Sequence, residues 1–207
     1  MKVENIEIFG TKNISKEEIQ KVLPLNIGDK LISLDLLNIE HKLKLYKPEL
    51  KDVVVSRGWK KIKIQFKERK PEAFLFYNKI KTGIDFDNVM FPLYGTYKNV
   101  VVPILFYQSM NERIKLVTFL KNLKNIDSSF LKKILHIKLN SFDEMILLMR
   151  NGTIILWGTE LTIHLQDKYS KFIKIYKDAE RRYSKLDYID MTSYYWGKAI
   201  VKPVNYI

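Results

Sequence analysis

Residues 61–67 alternate with period two. Ile62, Ile64 and Phe66 fall on one side, and Lys61, Lys63, Gln65 and Lys67 on the other, so the stretch predicts a strand with one buried face. Val53 to Arg57 predicts the strand before it, and Arg57 to Lys60 the turn between them, with Gly58 inside. Upstream, Ile6 and Ile8 flank Glu7 in a short strand that Gly10 ends. Ser15 and Glu18 have the spacing of a capping box, and Ile14 and Ile19 that of a hydrophobic staple, so a short helix opens at Ser15. Pro24 and Gly28 close it off. Asp35 caps a second helix, whose Leu36, Ile39, Leu43 and Tyr46 recur at helical spacing before Pro48. The order is β-α-α-β-β: a three-stranded sheet with two helices on one face.

Beyond residue 70 the pattern changes to many short strands. Ala73 to Tyr77, Lys79 to Asp85, Val89 to Phe91 and Val100 to Val102 predict strands, the last stopped by Pro103, with Asp87-Asn88 as a turn. Ser109 and Glu112 form a second capping-box pattern, opening a helix that carries Ile114, Val117, Leu120 and Leu123. Strands follow at Ile134 to Leu139, Met145 to Arg150 and Thr153 to Trp157. Asn151-Gly152 gives the strongest hairpin signal of the chain. Leu165, Tyr169, Phe172, Tyr176 and Ala179 mark one face of a long helix, and Lys168, Lys171, Lys174 and Arg181 the other. Leu186 to Met191 and Lys198 to Lys202 close the chain as a hairpin. The expected fold is α+β: the β-α-α-β-β module over residues 1–70, then a larger, mostly antiparallel β domain with two or three helices over 71–207. Lys67-Glu68-Arg69-Lys70 before Pro71 marks the boundary as a solvated strand end.

Composition narrows the function. The 207 residues include 36 Lys and Arg against 23 Asp and Glu, a net charge of +13. Thirty of the basic residues are Lys, scattered along the chain, whereas base readout and bidentate phosphate contacts favour Arg. Specific nucleic-acid binding is therefore not expected, although weak attraction to lipid headgroups fits the charge. Cysteine is absent, which removes disulfides, thiolate nucleophiles and Cys-based metal sites. His41, His136 and His164 do not pair at metal-ligand spacing. No Gly-rich phosphate loop or nucleophile elbow is present. Asp85 and Asp87 sit in a turn, where Asp is expected for backbone reasons, rather than converging as an acid–base pair. No catalytic, cofactor or metal site is expected. No apolar run reaches the roughly 18 residues that cross a bilayer, so the chain as given reads as soluble.

The remaining signal lies near the end. Tyr194, Tyr195 and Trp196 form an aromatic loop just before the final strand, which Lys198 and Lys202 bracket. Tyr and Trp carry much of the energy at protein interfaces, although such a cluster also serves as a plug on its own sheet. If the final strand lies at a sheet edge, its unpaired backbone groups can accept a partner strand, and the lysines favour an acidic one.

Residues 3–70 resemble a POTRA module. Their close, Glu68-Arg69-Lys70-Pro71-Glu72-Ala73, is similar to the E-R-x-P-x-A signature of the bacterial cell-division proteins FtsQ and DivIB. Gly83 to Phe91, Val102-Pro103-Ile104-Leu105, Asn151-Gly152 through Trp157-Gly158, and Ile189-Asp190-Met191 resemble further segments in that family's order. Asn88 stands where the family usually has Gly, Trp59-Lys60 stands where a Pro is common, and Thr192 replaces a frequent Arg. The resemblance implies a non-enzymatic divisome scaffold without cofactors. It implies a short cytoplasmic tail, a single transmembrane helix outside this chain, and domains on the extracytoplasmic face of the cytoplasmic membrane. It also implies FtsB/DivIC-like and FtsL-like partners, a link to septal peptidoglycan synthesis, and strand addition at Tyr195, Trp196, Gly197, Lys198, Ala199, Ile200 and Val201. Other readings are a POTRA adaptor of outer-membrane protein assembly or secretion, an enzyme acting on cell-wall glycan, and a nucleic-acid binder.

Overall fold

A computed structural model describes residues 1–10, 12–77, 79–159 and 164–204. In chain order its strands and α-helices are β1 (Asn5–Phe9), α1 (Lys16–Gln20), α2 (Leu36–Tyr46), β2 (Leu50–Gly58), β3 (Lys61–Glu68), β4 (Ala73–Tyr77), β5 (Ile80–Ile84), β6 (Met90–Pro92) and β7 (Ile104–Phe106). Then come α3 (Met110–Ile126), α4 (Ser128–Leu131), β8 (Ile134–Leu139), β9 (Met145–Met149), β10 (Ile154–Gly158), α5 (Leu165–Arg182), β11 (Leu186–Asp190) and β12 (Ile200–Pro203). The residues gather into two compact units. One is Met1–Pro71 with Asn78–Asp85 and Val89–Val100; the other is Glu72–Tyr77, Phe86–Asn88 and Val101–Ile207. The first unit is thus more than the β-α-α-β-β module, since β5 and β6 cluster with it.

In the first unit β3 is the central strand, parallel to β1 and antiparallel to β2. Its alternation holds as read: Ile62, Ile64 and Phe66 are buried with Ile39 and Leu43 of α2. Both halves of the Ser15–Glu18 capping box form, and Ile14 and Ile19 are buried as the staple requires. Asp35 accepts the amide of Asn38 as the α2 cap. Tyr46, at the last residue of that helix, faces solvent instead of extending the stripe.

Glu68 and Arg69 correct the reading of a solvated strand end. Glu68 is buried, and its Oε1 accepts the amides of Lys12, Asn13 and Ile14 at 2.8, 2.9 and 3.0 Å. Its Oε2 accepts the Asn13 side-chain amide at 3.1 Å. Arg69 pairs with the buried Asp85 and donates to the Pro48 carbonyl at 3.1 Å. Asp85 in turn accepts the amide of Val89 and closes the turn between β5 and β6. Burial pushes the Glu68 carboxyl up, but the amides of Ile14, Lys12 and Asn13 outweigh it, so its pKa lies below the ordinary value. Glu68→Gln is expected to cost about 1–3 kcal/mol, because the amides lose a charged acceptor. The sign follows from the depressed pKa. The stabilisation is complete above the ordinary glutamate pKa and is lost as pH falls through the lower folded value. Urea melts across the acid range check this, since the glutamine variant loses that part of the slope.

The second unit holds a large mixed sheet. The α+β class stands, and antiparallel pairs β8–β9, β9–β10 and β11–β12 alternate with parallel pairs β4–β7, β7–β8 and β10–β11. The parallel pairs β7–β8 and β10–β11 each need a crossover, which α3 with α4 and α5 supply. Strand β7 begins after Pro103, whereas the sequence pattern put a strand before it at Val100 to Val102; Pro103 instead accepts the Phe74 amide at its carbonyl and leads into β7. One face of the sheet carries the cross-strand row Leu105, Ile137, Leu147, Ile155 and Ile189, all buried. Trp157 lies buried between Phe119 of α3 and Phe172 of α5, at ring-centroid distances of 5.7 and 5.6 Å.

Helix α4 was not foreseen. Asp127 ends α3 and caps α4, accepting from the Ser129 hydroxyl and the amides of Ser129 and Phe130, and also from the Tyr169 hydroxyl at 2.6 Å. The Ser129 hydroxyl, then that of Tyr169, holds its carboxyl down at about 2. The stripe of α5 is buried as read, but Lys168 is a correction. The sequence set it on the solvent face, and it is fully buried, with Nζ 5.4 Å from the ring centres of both Trp157 and Tyr194. Aromatic faces replace part of the water that the ammonium gives up.

Candidate functional site

Strand β12 stands at the end of the sheet order and, among the described residues, pairs only with β11. Its register sets Ile200 opposite Asp190, Val201 opposite Ile189 and Lys202 opposite Tyr188. Among the described residues no strand neighbours its other edge, the arrangement that accepts a further strand. Pro203 lies inside β12, where it is tolerated because the strand is an edge.

The turn before the strand is fastened from beneath. Asp190 Oδ1 accepts the amide and the hydroxyl of Thr192, at 2.8 and 2.7 Å, and this bends the chain out of β11. Tyr194 to Trp196 then form a single 3₁₀ turn. Tyr194 is its anchor. It is buried, donates its hydroxyl to Asp167 at 3.0 Å, and lies under Lys171 at 4.7 Å. Gly197 ends the turn with φ +69°, a left-handed conformation that suits glycine. Tyr195 and Trp196 are thereby turned outward, 58% and 82% exposed. Beside this turn a small pocket of about 170 Å³ opens between α5 and the approach to β12, floored by Ile175, Met191 and Tyr194 and edged by Lys171 and Lys198.

The seven residues singled out from sequence fall on one continuous stretch but not in one element. Tyr195 and Trp196 are on the 3₁₀ turn, and Gly197 is its cap. Lys198 and Ala199 are exposed and precede the strand, which begins at Ile200 and not at Lys198. Ile200 is 55% exposed, and Val201 is half-buried against the sheet. The sequence reading missed the supporting residues Asp167, Lys171 and Ile175. Their signal was weak: two are polar positions of α5 whose role depends on where Tyr194 lands.

Among the described residues no three His, Asp or Glu side chains gather as a metal site. Asp85 is engaged by Arg69. His136 packs edge-on to Phe106, and His164 edge-on to Tyr195.

Residues 1–69 match the FtsQ-type POTRA domain, and residues 83–192 match the C-terminal domain of cell division protein FtsQ/DivIB. The chain belongs to the FtsQ/DivIB family. It is also 25% identical to the cell division protein FtsQ of Geobacter sp. (strain M21) over 218 aligned residues, which cover 99% of this chain and 77% of that protein. The FtsQ/DivIB family is a non-catalytic scaffold family of cell division that works through protein–protein interactions in the divisome. The FtsQ/DivIB C-terminal match ends at Thr192, so the case for β12 rests on its geometry. No helix among the described residues is long and apolar enough to cross a membrane.

Proposed function

We propose that this chain is the extracytoplasmic part of a single-pass, membrane-anchored divisome scaffold, with a POTRA domain over residues 1–70 and a partner-binding β domain over 71–207. It captures FtsB/DivIC-like and FtsL-like partners by adding their strand to β12, and so helps to organise septal peptidoglycan synthesis. The observation that carries the reading is the position of β12. It closes the sheet order with one edge open, and a rigidly anchored turn holds Tyr195 and Trp196 outward beside it. The family match supports a division scaffold and leaves an outer-membrane assembly adaptor without support.

Ile200→Pro tests the edge directly, because proline removes a ladder donor. Calorimetric titration with the FtsB-like ectodomain of the same organism is expected to show at least tenfold weaker binding. Proline can also loosen β12 from β11, so Trp196→Ala serves beside it. That ring is exposed, its loss should leave the melting temperature unchanged, and a further drop of about tenfold or more is expected for an interface anchor. Wild-type affinity in both variants, each folded, sinks the proposal.

A further inference from the structure

The register of the first unit's sheet gathers several loops at one end. Asn5 and Gly58 both face Lys61, so the start of β1, the end of β2 and the start of β3 lie together. The segment before β1 is fastened there as well. Leu31 donates its amide to the Met1 carbonyl at 3.1 Å, Val3 to that of Asp29 at 2.9 Å, and Gly28 to that of Val3 at 2.8 Å. The Lys60 carbonyl accepts the Glu4 amide at 2.7 Å, which ties the tip of the β2–β3 hairpin to this segment. Arg57 donates to the Leu31 and Leu34 carbonyls and holds the 3₁₀ turn Leu31–Ser33 against the end of β2. The opposite end of the sheet is closed by the Glu68 clamp and by Asn13, whose side chain accepts the Thr96 amide at 2.9 Å.

This frame presents apolar side chains to solvent. Trp59 on the hairpin tip is 78% exposed and Ile32 on the 3₁₀ turn 89%, and Met1, Ile27 and Leu37 are exposed at the same end. Single exposed apolar side chains are ordinary, but five large ones gathered at one end form a patch. They stand on turns and on the first turn of α2 instead of lining a groove, which suits a fluid apolar layer better than a shaped protein partner. Charge agrees. Lys2 and Lys30 pair in an isolated antiparallel bridge, and both stand exposed. The carboxylates nearby are engaged within the chain: Glu4 with Lys60 at 2.8 Å, Asp29 with the Asn26 amide at 2.8 Å, and Asp35 with the start of α2. An indole and aliphatic side chains beside ammonium groups match the headgroup boundary of an anionic bilayer, where Trp is favoured and Lys meets phosphate. The net charge of +13 draws the whole chain to such a surface. A second copy would bring the same charge against it.

We propose that this end of the first unit is a membrane-docking tip, with Trp59 and Ile32 entering the headgroup boundary of an anionic bilayer and Lys2 and Lys30 on its phosphates. A membrane anchor that precedes residue 1 would hold the tip close to lipid, and the proposal rests on the anchored reading only for how often the two meet. Docking would add a second, non-covalent hold on the membrane and fix the orientation of the first unit against it.

The test co-sediments the full chain with vesicles of equal parts phosphatidylglycerol and phosphatidylcholine at low salt. Trp59→Ala and Ile32→Ser are each expected to lower the partition coefficient at least fivefold, and Lys2→Glu with Lys30→Glu at least threefold. All four positions are exposed, so the variants are expected to fold, which thermal unfolding checks. Trp196→Ala removes a comparably exposed indole from the second unit and should bind as wild type. Brominated phosphatidylcholine reads insertion directly. In a Trp196→Phe chain the remaining indoles are Trp59 and the buried Trp157, so quenching on vesicle binding reports Trp59. Absence of vesicle binding, wild-type partitioning of Trp59→Ala and Ile32→Ser, or an unquenched Trp59 overturns the proposal. So does an equal loss in Trp196→Ala, which would make exposed indoles sticky wherever they stand. A concentration-dependent dimer in sedimentation that Trp59→Ala abolishes would assign the tip to a second copy, and weaker titration of the partner ectodomain by Trp59→Ala would assign it to protein; either overturns docking on lipid. Vesicle binding is read without an anchor, so its failure leaves the anchored topology and strand addition at β12 standing, and loss of those readings leaves the tip to be judged by the vesicles alone.

Discussion

Gly10→Ala is expected to destabilise the first unit by about 3–5 kcal/mol, enough to leave it largely unfolded near physiological temperature. Two effects add. The residue has φ +98°, where an L side chain costs about 1–2 kcal/mol. A Cβ would also stand 1.9 Å from the carbonyl oxygen of Phe66. That oxygen belongs to β3, the strand on which both other strands of this sheet pair, so it cannot yield without disturbing the central ladder. Gly28→Ala separates the effects. Its φ is +99°, but a Cβ there meets nothing within 4 Å. Urea melts should show a loss of about 1–2 kcal/mol at Gly28 and at least twice that at Gly10. Equal losses would show that the close approach to Phe66 carries no cost.

Trp157→Ala is expected to cost the second unit about 3–5 kcal/mol, the range for a large buried aromatic. The side chain is fully buried, and two independent consequences follow from its removal. Phe119 and Phe172 lose the ring between them, leaving a cavity where α3 and α5 meet the sheet. Lys168 loses the indole face against its ammonium while remaining buried. Far-UV circular dichroism during urea unfolding reads the total. Combining Trp157→Ala with Lys168→Met reads the second part, because methionine keeps the stem and removes the charge. The double variant should be more stable than Trp157→Ala alone. If it is less stable, the ammonium is well solvated without the indole.

Lys168 also shows where the sequence stops being legible. The stripe of α5 was readable because Leu165, Tyr169, Phe172, Tyr176 and Ala179 are apolar, and their spacing alone places them. Lys168 occupies a position of the same stripe, three residues after Leu165 and four before Phe172. Its charge argued for solvent, and the positions of Trp157 and Tyr194 show aromatic faces that receive it. Glu68 and Arg69 misled in the same way, since a charged run before proline looks solvated until the amides 54 to 56 residues before Glu68, and Asp85 sixteen residues after Arg69, are in place. Local chemistry was dependable where it is self-contained: the Ser15–Glu18 box, the Asp35 cap and the Asn151-Gly152 hairpin all form. The partner-binding stretch was half legible. The aromatic turn and the last strand could be named, but that β12 begins at Ile200 depends on its register with β11. The sheet's second apolar face left its trace in Met145 to Met149 and Ile154 to Trp157, which are apolar on both faces where a half-solvated strand would alternate.

The position of β1 has a consequence for how the protein is made. Among the described strands β1 pairs only with β3, and Asn5 faces Lys61 in that ladder. A chain that emerges from the ribosome or a translocation channel N-terminus first exposes β1 more than fifty residues before its partner exists. Helices α1 and α2 can form from local contacts in that interval, but β1 cannot be placed. The clamp of Glu68 on residues 12–14 comes later still. Strand β1 therefore leaves the ribosome before the rest of its sheet yet is among the last parts of it to be fixed, and until residue 68 has emerged, Ile6 and Ile8 stay open to any holding factor that recognises a short apolar strand.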